Sequence, residues 1–177
     1  MSALHQSLKV MLIDGSFDRS QEMQQILQSI NCEVVACLSA EMDLLQQVEL
    51  HQPDIVIIDI DLPDRDMLEN LRSVQAHTPR PMVMFSQDDD GATIRRAVQA
   101  GVSAYVVEDI QTQRVRPILE AAIATFDQYQ QLQNELDSTK TELESRKLID
   151  RAKGLLMQQR QIDESQAYHL MRKTAMD

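Results

Sequence analysis

The chain has 177 residues and a formal net charge of −11, with 43% hydrophobic, 25% charged and 3% aromatic residues and no Trp. That length supports one core of ordinary domain size plus a smaller appendage. So few aromatics tell against nucleic-acid recognition by stacking bases on an aromatic sheet, and no apolar run approaches the roughly 18 residues a membrane span requires.

The opening "MSALHQSLKV" has neither the basic start nor the apolar stretch of a signal peptide, so a cytoplasmic protein is expected. From Leu8 onward, short apolar runs alternate with helical patterns: "KVMLID" (9–14), "CEVVAC" (32–37), "DIVIID" (54–59), "PMVMFS" (81–86) and "SAYVVE" (103–108). Near-continuous apolar runs suit strands covered on both faces, and amphipathic stretches begin near Asp18, Ala40, Asp66, Thr93 and Gln113. The expectation is an α/β fold over residues 1–125, a five-stranded parallel doubly wound sheet. Gly101 stands where a helix C′ glycine belongs, and Pro53 and Pro81 sit just before strands.

Within the second run, Cys32 and Cys37 are five apart, which in a regular strand sends them to opposite faces; they are read as reduced structural thiols. His5, His51, His77 and His169 are scattered, with no ligand spacing, and there is no nucleophile elbow or P-loop, so no catalytic turnover is expected. Three aspartates in "SQDDDG" (86–91) read as helix-start acids facing the positive end of the helix dipole rather than as a metal site.

A site in such a sheet forms outside the carboxyl ends of the strands, where the runs place Asp14, Asp59, Ser86 and Glu108. Asp14 ending the first run, "PDIVIIDIDLPDRD" with Asp59 four before Pro63, Ser86 ending the fourth and "AGVSAYVV" leading into the fifth together resemble a response-regulator receiver domain over about residues 7–125. The resemblance implies Asp59 as phosphoacceptor, Asp14 helping to hold Mg²⁺ and Ser86 contacting phosphoryl oxygens. Receivers, however, commonly carry two adjacent acids after the first strand and a Lys ending the fifth; here Gly15 follows Asp14, and Glu108 stands in the place of the Lys. An anion there repels a phosphorylated Asp59. The expectation is a pocket without productive phosphorylation and no cofactor, Mg²⁺ at Asp14 and Asp59 being implied only if the pocket functions.

After Pro117 the pattern becomes one long helix with no Pro to about Arg160, giving a helical linker over residues 113–145. Val115, Ala122, Tyr129, Leu136 and Leu143 recur every seven residues, an imperfect coiled-coil seam read as the contact of a parallel homodimer.

Charge separates the last stretch from the rest. Residues 146–177 carry seven Lys/Arg against four acids, a balance of +3, so the preceding 145 residues hold −14. A small basic module on an acidic carrier suggests an anionic partner for the tail alone. Leu148, Ile149, Ala152, Leu155 and Leu156 share one arc, Gln161 and Ile162 make a turn, and Asp163 caps a second helix with Gln166 three residues on. Ala167, Leu170, Met171 and Thr174 give that second helix its inner face. Gly154 in the first helix suggests a close approach there.

The closing "AKGLLM" and "AYHLMRKTAM" resemble an ANTAR domain, an RNA-binding antitermination module found behind receivers. That likeness implies a pair of small-looped hairpins in a nascent leader RNA as ligand, not duplex DNA. Arg151, Lys153, Arg172 and Lys173 are assigned to RNA contacts, with Arg146 and Arg160 on backbone phosphates. The module, taken as 146–177, is expected to lack the third ANTAR helix, leaving its inner face short of cover. "PDRDMLENL", "PRPMVMFSQDDD" and "AGVSAYVVED" before "RVRPILEAAIATF" resemble the nitrate-responsive NasT type of antiterminator. This implies control of nitrate or nitrite assimilation genes and sequestration by a nitrate-sensor protein. Two rivals stay open: a response regulator switched by phosphorylation at Asp59, and a partner-binding dimer without RNA binding.

Overall fold

The computed structural model describes residues 7–15, 17–107 and 111–174. The chain divides into two compact units, residues 1–128 and 129–177. In the first, five strands form one parallel sheet: β1 (Leu8–Asp14), β2 (Cys32–Ser39), β3 (Ile55–Asp59), β4 (Met82–Ser86) and β5 (Ala104–Val107), ordered β2-β1-β3-β4-β5. They alternate with α1 (Phe17–Ser29), α2 (Leu44–His51), α3 (Arg65–His77) and α4 (Gly91–Gln99), and α5 (Thr112–Arg160) follows the last strand. The five-stranded α/β architecture expected from the apolar runs is thus present.

The central strands β3 and β4 are buried at all five positions, whereas the edge strands β2 and β5 are mostly half-buried. Apolar side chains on both faces follow from helices on both sides. On one face, α1 (Met23, Ile26, Leu27) and the start of α5 (Val115, Leu119, Ala122) cover Val10, Leu12, Ile57 and Phe85. On the other, α2, α3 and α4 supply Leu44, Val48, Leu68, Leu71, Val74 and Ala97 against Met11, Ile13, Ile58 and Met84.

Local chemistry sets the boundaries. Asp43, Asp64 and Asp90 each accept a hydrogen bond from the third amide beyond, at 3.2, 2.7 and 3.1 Å, capping α2, α3 and α4. The second helix therefore begins at Leu44, four residues after the expected Ala40, because Asp43 is the cap. The acids at 88–90 are a helix start as read: Asp90 caps α4, and the Asp88 carboxylate accepts from the Asp90 amide at 2.9 Å. Gly101 takes φ +100° after α4, and a Cβ there would stand 2.7 Å from the Gln75 side chain, so both backbone and space call for glycine.

One expectation fails in β2. The pairing with β1 slips between Val10 and Met11, whose partners are Val34 and Ala36, leaving Val35 as a bulge. A bulge resets the alternation of faces. Cys32 and Val34 consequently pack on the α1/α5 side, while Ala36 and Leu38 pack on the other. Cys37, paired with Leu12, therefore shares the face of Cys32 rather than opposing it. Both thiols are free, and five strand residues separate them by roughly 16 Å, beyond disulfide reach.

In the second unit, α5 continues to Arg160 and α6 (Glu164–Thr174) follows. Gln161 turns the chain at φ 52°. Asp163 and Gln166 form the expected capping box: the Gln166 amide donates to Asp163 at 2.8 Å, and the Asp163 amide donates to the Gln166 side chain at 3.2 Å. Among the described residues, no helix is long and apolar enough to cross a membrane.

Candidate functional site

Register in the sheet creates the first site. Asp14 and Asp59 are paired residues at the carboxyl ends of β1 and β3, and Ser86 ends β4 two strands away from Asp14. All three are at least 94% buried. The structure thus gathers three of the four strand-end residues singled out in the sequence; Glu108 lies outside the described residues.

Ser86 acts as a tie between loops. Its hydroxyl donates to the Asp61 carbonyl at 2.7 Å and accepts from the Asp88 amide at 3.1 Å, joining the segment after β3 to the segment after β4. Tyr105 on β5 adds a second tie, its hydroxyl donating to the Asp88 carbonyl at 3.0 Å.

The sequence reading missed Arg19, which α1 projects into this pocket. Its Nη2 lies 3.2 Å from Asp59 Oδ1 and donates to the Asp59 carbonyl at 3.3 Å, while Nη1 pairs with Asp61 Oδ1. The Gly15 amide also donates to that Asp59 carbonyl, at 3.3 Å. Arg19 and Asp59 are 40 residues apart, so no local pattern announces the pair.

Electrostatics follow from burial. Loss of solvent pushes the Asp59 carboxyl from 3.8 up to about 6, with Arg19 opposing the rise and Asp14, Asp61 and Glu22 adding to it. For Arg19, burial disfavours the charge, but the Asp61 hydrogen bond and the fields of Asp59, Asp61 and Asp14 outweigh it and raise the guanidinium above its ordinary value.

Mg²⁺ at a receiver pocket calls for carboxylate oxygens in octahedral placement. Asp14 and Asp59 could supply two, but Gly15 supplies none, Asp59 Oδ1 is already bound by Arg19, and the Asp61 carbonyl already accepts from Ser86. With Arg19 seated as it is, the residues present do not fit the ion.

The second site is the basic tail. Arg146, Arg151, Arg160, Arg172 and Lys173 are exposed, and among the described residues none of the five has an ion-pair partner. Lys153 differs: it bridges Asp150 at 3.3 Å and Glu164, at 2.6 Å, tying α5 to α6. The Glu164 bond, then the Asp150 bond, hold its ammonium above its usual range. Ala167 is fully buried between these helices, but Leu148, Ile149 and Leu155, expected on an inner face, are 66%, 50% and 51% exposed. A helix pair this short covers one side chain well and leaves the rest of the arc open. Gly154 has open space where a Cβ would stand, so no close approach among the described residues accounts for it.

The expected dimer seam divides. Val115 and Ala122 are each 1% exposed within the sheet's own core, which removes them from any contact with a second chain. Heptad spacing on a helix is equally satisfied by packing on a sheet, which is why the pattern continued into them. Tyr129, Leu136 and Leu143, with Leu132, remain 47–59% exposed.

This arrangement is shared with known proteins. The family model for the response regulator receiver domain matches residues 10–120, and that for the ANTAR domain matches residues 131–177. The chain is similar to the transcriptional regulatory protein PdtaR of Mycobacterium tuberculosis, 29% identical over 156 residues that span 88% of this chain and 76% of that protein. Chemotaxis protein CheY of Listeria monocytogenes is 28% identical over 116 residues, 65% of this chain and 98% of CheY. Among solved structures, a signal receiver domain of a modulated diguanylate cyclase from Desulfovibrio desulfuricans superposes with a TM-score of 0.61 at 18% identity, covering 70% of this chain and 99% of that one. CheY4 of Vibrio cholerae gives 0.58 at 18% identity over 66% and 99% of the two chains. At such identities the superpositions establish the fold. The match over 10–120 carries more: this chain belongs to the response-regulator receiver family and joins its receiver to a C-terminal ANTAR domain.

Proposed function

We propose that this response regulator is an RNA-binding transcription antiterminator, holding a pair of hairpins in a nascent leader transcript so that an overlapping terminator cannot form. The observation carrying this reading is a group of exposed cations without ion-pair partners among the described residues, Arg146, Arg151, Arg160, Arg172 and Lys173 among them, on the unit that matches the ANTAR family. Residues 146–177 carry a balance of +3 and the preceding 145 residues −14, so a polyanion is steered to this last stretch and away from the receiver. The similarity to a transcriptional regulatory protein over 88% of the chain supports the same class of output.

A finer reading assigns nitrate or nitrite assimilation genes as targets and a nitrate-sensor protein as the partner that sequesters the regulator. It rests on the likeness of residues 63–71, 79–90 and 100–126 to the nitrate-responsive type. Control by sequestration asks nothing of the phosphorylation chemistry that Gly15 and Glu108 weaken. In the same reading, Tyr129, Leu132, Leu136 and Leu143 meet their counterparts in a second copy, since a stripe of this length needs cover.

The test is a gel shift with a two-hairpin leader RNA at several salt concentrations. Binding is expected to fall steeply as salt rises, and Arg151→Ala or Arg172→Ala is expected to lower the log–log salt slope by about 1 each. Lys153→Ala is expected to weaken binding chiefly by releasing α6, because its ammonium is held by Asp150 and Glu164. No shift, or an equal shift with duplex DNA of the same length, refutes the reading.

A further inference from the structure

We infer that the Arg19 guanidinium is a built-in occupant of the cation position in the receiver pocket, so that this receiver holds Asp59 and Asp61 together without a divalent ion. The geometry is specific. One guanidinium reaches the Asp59 carboxylate, the Asp59 carbonyl and the Asp61 carboxylate, closing α1 onto the end of β3 and the segment after it. Such a fork, with two nitrogens each on a different carboxylate, neutralises charge where an ion would otherwise be needed.

Two sequence features converge on the same result. Gly15 removes a carboxylate beside Asp14, and Arg19 adds a cation beside Asp59, so the pocket has lost anionic ligands and gained a competitor. A divalent ion placed between Asp14 and Asp59 would face the guanidinium at close range in a largely buried site, where like charges repel strongly. The Asp61 carbonyl is meanwhile engaged by the Ser86 hydroxyl at 2.7 Å. The pocket therefore works as a fixed clamp: it ties α1, β3 and the β4 end into one arrangement that no metal or phosphoryl group has to complete. This inference concerns the receiver alone and does not rest on the RNA reading.

Mn²⁺ binding to the full chain tests it, read from the free-ion paramagnetic resonance signal and located by broadening of backbone amides. Wild type is expected to show no saturable site that broadens the amides around Asp14 and Asp59. Arg19→Gln is expected to gain one, at least about tenfold tighter than anything in wild type, and Arg19→Gln combined with Asp59→Asn to lose it. Arg19→Lys, which keeps a positive charge, is expected to stay closed to the ion. Should the glutamine variant lose the receiver's amide spectrum, Arg19→Met supplies a neutral side chain that retains the aliphatic stem. Saturable binding by wild type with broadening at the ends of β1 and β3 overturns the inference, as does a folded neutral variant that binds no tighter than wild type.

Discussion

Replacing Asp59 by Asn tests whether the receiver pocket is held mainly by its ion pair or strained by its buried charge. Asp59 is 4% exposed, and burial raises its carboxyl from 3.8 to about 6 despite Arg19 at 3.2 Å. A raised value means that the folded chain keeps this proton at a pH where the unfolded chain has released it. Stability from this group is then complete below about pH 4, falls as pH rises from 4 to 6, and is lost above that. The difference between 3.8 and about 6 corresponds to a loss of about 3 kcal/mol at pH 7. Asn cannot ionise, so the variant is expected to match wild type near pH 4 and to exceed it by up to about 3 kcal/mol at neutral pH. The assay is amide hydrogen exchange of central strand residues such as Leu12 and Ile57, which reports opening of the receiver core. Protection should rise in the variant at pH 7, and the gain should shrink toward pH 4. A variant less protected than wild type at pH 7 refutes the reasoning, for it shows that the bond to Arg19 outweighs the cost of burying the charge.

Two further substitutions address the second unit. Asp163→Ala removes the side-chain acceptor of the Gln166 amide and half of a capping box, and is expected to destabilise α6 by about 1 kcal/mol, read as faster exchange at Gln166 and Ala167 with the receiver strands unchanged. Leu136→Asp places a charge in the exposed stripe between Tyr129 and Leu143, and is expected to halve the mass measured by light scattering without loss of the receiver's amide spectrum; an unchanged mass refutes a dimer built on that stripe.

What could be read from the sequence, and what could not, follows from the range of the interactions. The sheet was legible because β3 and β4 are buried at every position, so burial writes itself as an unbroken apolar run. Helix starts at Asp90 and Asp163 were legible because a cap speaks to the third residue beyond it. Asp14, Asp59 and Ser86 could be assembled because parallel strands must bring their carboxyl ends to one edge. The bulge at Val35 left no mark in "CEVVAC", whose residues suit either face of an edge strand, so the two cysteines were placed on opposite sides. The stripe on α5 misled for a related reason: seven-residue spacing says that a face is covered but not by what, and Val115 and Ala122 are covered by their own sheet.

Arg19 is the most consequential residue that was not legible, since its meaning depends on partners 40 and 42 positions away. Taken alone in "FDRSQEM" it is one more polar residue on an exposed helix face. Its role emerges only when α1 packs through Met23, Ile26 and Leu27 onto the sheet, which fixes the first turn of the helix above the end of β3. The glycine after Asp14 was noticed as a loss, whereas the structure makes it half of an exchange: a carboxylate is missing from the end of β1 and a guanidinium is supplied from the helix that follows. A pocket altered in only one of these ways would either keep calling for a metal or leave its acids uncompensated. With both changes present, Asp59 and Asp61 have an internal partner in Arg19, and no divalent ion has to hold α1 to the end of β3.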